Sequence, residues 1–227
     1  MDGPLGVDDR YPRERRRART YRLLAECYHE PTDDLRATLR ETDDQSVAIP
    51  VDELHDALAD DRAIRLDYAG LFVGPFELEA PPYESVYVDN ESQVMTEATE
   101  RVQAEYREAG VDIGLDEPAD HVAAELEFTF LLVATELEAL DAGEFEAAEQ
   151  YLERQYEFLS EHLGRWISEL VDNMREHADT EFYSLLADET QSFVEGDGKQ
   201  LAKRLERLET TDDDLTTVLE DGDTNDS

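Results

Sequence analysis

Apolar residues recur along the chain at intervals of three and four residues, the spacing of amphipathic α-helices. No segment shows the strict apolar–polar alternation of a half-buried strand, and no internal repeat is present. The segments predicted to be helical contain residues 11–29, 35–39, 51–58, 64–72, 94–106, 119–140, 145–163, 166–174 and 180–193. The pattern therefore predicts an all-α fold.

Turn-forming residues mark the ends of these helices. Glycine favours the left-handed conformation in which many helices end, and Thr is a favoured N-cap. The predicted ends are Gly74-Pro75, Gly110, Gly143 and Gly196, with a kink at Gly164 and an N-cap at Thr180.

The longest segment without helical character is 74–90. It combines Pro75, Pro81 and Pro82 with three aromatic residues, among them Tyr83 and Tyr87. Long loops in compact domains are often functional. Two interpretations remain open: the aromatics line a groove for an extended peptide, or they pin the loop to the core.

The sequence Glu117-Pro118-Ala119-Asp120-His121 stands where a loop becomes a long helix. Proline suits the first turn of a helix, and carboxylates favour its positive N-terminal end. We therefore predict a single helical domain of two sub-lobes joined by a hinge near residues 110–120. This domain would occupy residues 1–209, with 210–227 as an acidic disordered tail.

The composition is strongly acidic, with 59 Asp and Glu, 20 Lys and Arg and a formal net charge of -39. Because carboxylates are spread over every predicted helix and only two residues are Lys, we interpret the charge as a halophilic adaptation. In molar salt the Debye length falls to about 3 Å and self-repulsion is screened. The charge argues against a nucleic-acid partner.

Seven arginines lie between Arg10 and Arg22. Either they pair with acidic helices elsewhere or they bind a ligand. The Arg15-Arg16-Arg17 run is not followed by the apolar region and cleavage site of a twin-arginine export signal, so we expect the protein to stay in the cytoplasm. No apolar run reaches the length of a membrane span.

The sequence offers little catalytic chemistry. Cys27 is the only cysteine, which excludes an internal disulfide and a cysteine-based zinc site. Phosphate-binding and nucleophile motifs are absent. His121 and Glu125 lie four residues apart and could ligate a metal, although a catalytic zinc usually has three protein ligands. A small helical metal-dependent enzyme is the alternative hypothesis; we otherwise expect no metal, no cofactor and no enzyme activity.

Four motifs in order resemble the TorD/DmsD family of molybdoenzyme maturation chaperones. They are Tyr68-Ala69-Gly70-Leu71-Phe72-Val73-Gly74-Pro75, Pro81-Pro82-Tyr83-Glu84-Ser85-Val86-Tyr87, Tyr106-Arg107-Glu108-Ala109-Gly110 and Glu117-Pro118-Ala119-Asp120-His121. The resemblance extends from the first helix to Phe193. It implies an all-helical cytoplasmic chaperone, not an enzyme.

The resemblance also implies a partner, namely the twin-arginine signal peptide and apoprotein of a molybdopterin oxidoreductase of the DMSO or TMAO reductase type. The chaperone would hold this apoprotein until its cofactor is inserted and export can follow. Helical halves joined by a hinge can exchange between chains, so a monomer and a domain-swapped dimer are both open.

The peptide-binding residues expected from the motifs and from the chemistry of the leader are Phe72, Pro82, Tyr83, Ser85, Tyr87, Glu117, Pro118, Asp120 and His121. Carboxylates accept guanidinium groups in bidentate pairs, and aromatic side chains offer an apolar groove. We expect His121 to orient its neighbours. A simple helix cap is the alternative role for Asp120.

Overall fold

The computed structural model describes residues 10–58, 60–74, 78–88, 97–111 and 117–222, apart from the side chains of 209 and 211–222. This part of the chain contains ten α-helices and no named strand, which confirms the all-α prediction. The helices are α1 (Pro12–Cys27), α2 (Asp33–Glu41), α3 (Val51–Ala57), α4 (Asp61–Tyr68), α5 (Glu84–Val88), α6 (Glu97–Glu108), α7 (Val122–Ala142), α8 (Phe145–Glu161), α9 (Leu163–His177) and α10 (Glu181–Gly222). A 3-10 turn forms Asp44–Ser46, and a π-helical turn forms Ala69–Val73.

Helix α7 is the centre of the fold. Its sequence is apolar on nearly every side, and such a helix must be enclosed by others. It packs against α1 and α8, while α10 packs against α8 and α9. The N-terminal end of α7 therefore brings the Glu117–His121 corner against the packed interior. Within the part of the chain that the structure describes, no helix has the length and apolar character of a membrane span.

Buried ion pairs tie α1 to the helices around it. The guanidinium of Arg17 donates to both carboxylate oxygens of Asp197 at 2.5 and 2.8 Å, and the Tyr21 hydroxyl donates to the same carboxylate at 2.8 Å. Arg15 donates to Asp141 at 2.7 Å. Both arginines of the N-terminal cluster thus pair with acidic residues of other helices. The Arg17 pair lies inside the protein, whereas the Asp141 partner of Arg15 is partly exposed.

Of the helix ends predicted at Gly110, Gly143 and Gly196, the first two are confirmed and the third is wrong. Gly110 adopts the left-handed conformation predicted for it, with a φ angle of 68°, and Gly143, predicted only as a helix end, does the same at 78°. The prediction that Gly196 ends the last core helix is wrong, because α10 continues through it. A glycine inside a helix costs only about 1 kcal/mol. The buried residues Val194 and Leu201 on either side hold the helix to the core.

The domain boundary and the hinge stay predictions. The backbone of α10 runs through 210–222, the first part of the predicted disordered tail, and 223–227 lie outside the described residues. Residues 112–116 of the predicted hinge also lie outside them. The expectation that 74–90 lacks helix is wrong for α5, which is too short to show a periodic pattern.

A single residue, His162, separates α8 from α9. The kink predicted at Gly164 is a full break two residues earlier. Gly164 permits the close approach of the two helices, because a Cβ atom there would lie 2.4 Å from the carbonyl oxygen of Leu159. Backbone atoms cannot move aside as a flexible side chain can.

We predict that Gly164→Ala lowers the free energy of unfolding by about 2 kcal/mol, through overpacking against this carbonyl. The matched control is Gly196→Ala, where an added Cβ would meet no atom within 4 Å. It should raise stability by up to about 1 kcal/mol through helix propensity. Denaturant unfolding of both variants measures the difference, and equal effects would contradict the steric role of Gly164.

Candidate functional site

The Pro-rich segment and the Glu117–His121 corner meet in space. Tyr83 and His121 form an isolated antiparallel β-bridge. Two backbone hydrogen bonds flank it, from Val122 N–H to the Pro82 oxygen and from Glu84 N–H to the Asp120 oxygen, each at 2.9 Å. We call residues 82–85 and 120–122 together the junction. It joins two of the four motifs that the sequence singled out.

The junction also caps two helices. The Nδ1 atom of His121 accepts a hydrogen bond from Ala123 N–H at 3.1 Å and so caps α7. The Asp120 carboxylate accepts from Ser85 N–H at 3.1 Å, which satisfies a free donor at the start of α5. Asp120 thus caps a helix, as the alternative interpretation proposed, but the helix is α5 and not the one that follows it in sequence.

The predicted site residues divide into a buried and an accessible group. Asp120 and Ser85 have no exposed surface, and Phe72, Pro82 and His121 are also buried. Glu117 is exposed, while Pro118, Tyr83 and Tyr87 are half-buried. A ligand in solution can therefore reach Glu117 and Tyr83 directly, whereas Asp120 and His121 lie beneath them.

Two half-buried tyrosine rings reach the accessible side, and each packs on a buried ring. Tyr83 packs edge-on against His121 at 5.2 Å, and Tyr68 packs against Phe72 at 5.5 Å between ring centroids. We call these four residues the aromatic wall. Burial raises the pKa of Tyr68 to about 12, and the negative charges of Glu117 and then Glu30 act in the same direction.

Glu117 and Glu30, both exposed, form what we call the acidic rim. Sequence reasoning missed Glu30 and did not place Tyr68 in the site. Tyr68 was recoverable, because it lies one helical turn before Phe72 within a motif. Glu30 carries no such signal, since the fold alone brings the end of α1 beside α4. Its neighbour His29 stacks on His121, with the two rings 6.4 Å apart.

Tyr87 has a different environment. Its ring stacks on Trp166 at 5.5 Å, and its hydroxyl accepts a hydrogen bond from Asn173 at 3.2 Å. Of the two interpretations of the Pro-rich loop, pinning to the core therefore describes Tyr87 and α5. Tyr83 remains at the accessible edge.

Carboxyl groups cluster beneath the junction. Glu84 and Glu125 are completely buried. Glu84 contacts His162 Nδ1 at 3.0 Å, and Glu125 accepts from the indole N–H of Trp166 at 3.1 Å. Burial, and then the charge of Glu84, raise the pKa of Glu125 well above its usual range. A protonated Glu125 can donate a hydrogen bond to Glu84 Oε1, the oxygen that has no partner among the described residues.

His121 is held neutral. Burial lowers its pKa to about 3, and His29 acts in the same direction. Because Nδ1 accepts a hydrogen bond, the neutral ring carries its proton on Nε2. Among the residues that the structure describes, no three His, Cys, Asp or Glu side chains are placed to hold a metal ion. The metalloenzyme alternative based on His121 and Glu125 has no support.

We predict that Glu125→Gln changes the pH dependence of stability. A carboxyl with a raised pKa in the folded protein stabilises it below the unfolded pKa, and this contribution is lost as pH rises towards the folded pKa. The glutamine mimics the protonated form and does not titrate. The variant should therefore gain stability relative to the parent as the pH is raised from about 5 through neutrality, by up to about 1.4 kcal/mol per pH unit.

Denaturant unfolding across this pH range measures the effect. The control is Glu127→Gln on the same helix, which makes the same substitution at a side chain that is only half-buried. A difference between Glu125→Gln and the parent that does not change with pH would show that Glu125 is not held protonated.

Comparison with known proteins shows which family this chain is similar to. The Tat proofreading chaperone DmsD of Salmonella paratyphi A is 32% identical over 118 residues, 51% of each chain. The chain thus spans about half the length of the DmsD relatives it matches. The chaperone protein TorD of Shewanella loihica is 26% identical over 217 residues, 85% of this chain and 96% of TorD.

The fold also has a solved counterpart, described as a candidate redox enzyme maturation protein from Archaeoglobus fulgidus. It aligns with a TM-score of 0.55 and 21% identity over 79% of this chain and 93% of its own. A family model described as nitrate reductase delta subunit matches residues 40–172, more than half of the sequence. The resemblance to the TorD/DmsD chaperones is thereby confirmed, and the chain belongs to the nitrate reductase delta subunit family.

Proposed function

We propose that this protein is a cytoplasmic maturation chaperone for a molybdopterin-containing oxidoreductase of the DMSO or TMAO reductase type. In this role it binds the twin-arginine signal peptide and the apoprotein, and it retains them until the cofactor is inserted and export can follow. The observation that carries the proposal is the surface beside the junction, where half-buried Tyr83 and Tyr68 lie next to the exposed carboxylate of Glu117. The chaperone names of the DmsD and TorD relatives support the same proposal.

The chemistry of a twin-arginine leader suits this surface. Each guanidinium presents a planar fork of N–H donors that a carboxylate can accept in a bidentate pair. It also stacks favourably on aromatic faces. Glu117 offers the carboxylate, and Tyr83 and Tyr68 offer half-buried rings next to it.

The buried members of the predicted site have supporting roles in this proposal. Asp120 and Ser85 fix the junction through their hydrogen bond, and His121 caps α7 beneath Tyr83. Pro82 accepts the bond from Val122, and Pro118 accepts one from His121 N–H at 3.0 Å. Phe72 backs Tyr68, and Tyr87 anchors α5 to α9. These residues position Tyr83 and Glu117 and do not contact the guanidinium groups.

The proposal includes no catalytic step, metal or cofactor of the chaperone itself. The protein acts as a monomer or as a domain-swapped dimer. If the helices that follow α7 exchanged between two chains, residues 82–85 and 120–122 would remain in the same chain. The junction would therefore stay intact.

We predict that Glu117→Gln weakens binding of a synthetic peptide containing an arginine pair and an apolar stretch by about two- to fivefold at moderate salt. The loss should shrink in molar potassium chloride, because an exposed ion pair is screened. Stability should not change, since the side chain is exposed. Fluorescence anisotropy of the labelled peptide measures the affinity.

Glu146→Gln, an exposed glutamate in the first turn of α8 at the far end of α7, is the matched control and should bind as the parent does. A second peptide has glutamines in place of its arginine pair. If the parent binds both peptides equally, the arginine pair is not recognised and the proposed function is wrong.

A further inference from the structure

Exposed apolar positions form a stripe along α4 and the π turn that follows it, beside the exposed Arg62 and Arg65. Leu66, Ala69, Gly70 and Val73 are all exposed, and we call these four residues the apolar strip. Leu66 and Val73 expose 63% and 59% of their surface. They lie seven residues apart with the two small residues between them, so the exposed positions form a row along one side of the segment.

Such a row is unusual for this protein. The part of the chain that the structure describes has five large hydrophobic residues that are exposed, and two of them lie in the apolar strip. A single exposed apolar residue needs no explanation, whereas adjacent ones mark interaction surfaces.

The apolar strip adjoins the candidate site. The opposite side of the same segment buries Leu71 and Phe72, and half-buried Tyr68 belongs to the aromatic wall. The acidic rim reaches the strip through Glu30, whose carboxylate lies 4.0 Å from the guanidinium of Arg65, the residue before Leu66. Carboxylates, aromatic rings and the apolar strip therefore follow one another over a short distance.

The shape of the strip leaves room for another chain. A Cβ atom added to Gly70 would meet no atom within 4 Å, so packing within the protein does not require a glycine there. Ala69 and Gly70 add little or no side chain between the larger Leu66 and Val73. An extended or helical segment can lie across these small residues and bury its own apolar side chains against Leu66 and Val73.

We propose that the apolar strip is the docking surface for the apolar stretch of the same arginine-headed leader, with Glu30 and Glu117 receiving the arginines at its edge. This inference rests on the proposed function. Charge complementarity favours this occupant. The arginines of the leader match the acidic rim, and its apolar stretch matches the apolar strip. A second copy of this chain would bring a net charge of -39 against the rim.

Two variants test the strip without disturbing the core. Leu66→Asn removes an exposed apolar side chain, and Gly70→Gln places the longer side chain of a good helix former between Leu66 and Val73. Each should weaken binding of the arginine–apolar peptide by about tenfold, the effect of losing one well-buried aliphatic contact. Thermal unfolding should leave the stability of Gly70→Gln unchanged or raised. Phe145→Asn, with Phe145 67% exposed at the far end of α7, is the control and should bind as the parent does.

A second peptide keeps the arginine pair but replaces the apolar stretch with serine and glycine. For this peptide the parent and both strip variants should differ by less than about twofold, because the lost contact is absent from all of them. The docking surface is wrong if the strip variants lose affinity equally for both peptides, or if they bind the first peptide as the parent does. Either outcome would leave the proposed function standing. Sedimentation that shows a dimer broken by Leu66→Asn, with peptide affinity unchanged, would assign the strip to a second copy. A parent protein that binds neither peptide would refute the proposed function itself.

Discussion

The pairing of residues 82–85 with 120–122 is the constraint on which the candidate site depends. Backbone groups that leave a helix must find other partners or remain hydrated. Here the two segments that interrupt the helical pattern satisfy one another, through the Val122–Pro82 and Glu84–Asp120 hydrogen bonds. The same contact lies at the first residues of α5 and α7, and it places the Tyr83 ring edge-on against His121. One non-helical contact thus sets the positions of side chains from several helices.

The junction also separates two kinds of carboxylate. Asp120, Glu84 and Glu125 lie inside, where an ionised group without a partner is costly. Glu117 and Glu30 lie outside, where solvent reaches them, and Glu30 also lies 4.0 Å from the Arg65 guanidinium. The inner carboxyls act through hydrogen bonds and shape the protein. The outer carboxylates can meet cationic groups from solution. In so acidic a chain, burial is what distinguishes the two roles.

Hydrophobic periodicity predicted the long helices because each buries a continuous face. It predicted α7, α8 and α9 in this way, and the left-handed glycines at 110 and 143 predicted helix ends. It missed α5, whose five residues are held by tertiary contacts. The family motifs identified both segments of the junction, but sequence could not show that Asp120 is sealed or that Glu30 stands at the rim. Burial and proximity of this kind arise only when distant segments pack together.

The buried pair of Arg17 and Asp197 gives α1 and α10 a resistance that the surface lacks. Mobile ions surround exposed charges and weaken them, but they cannot enter the space between two groups with almost no accessible surface. On dilution of the medium, repulsion among the surface carboxylates grows while this internal clasp keeps its strength. We therefore expect low salt to loosen the exposed surface before it separates α1 from α10.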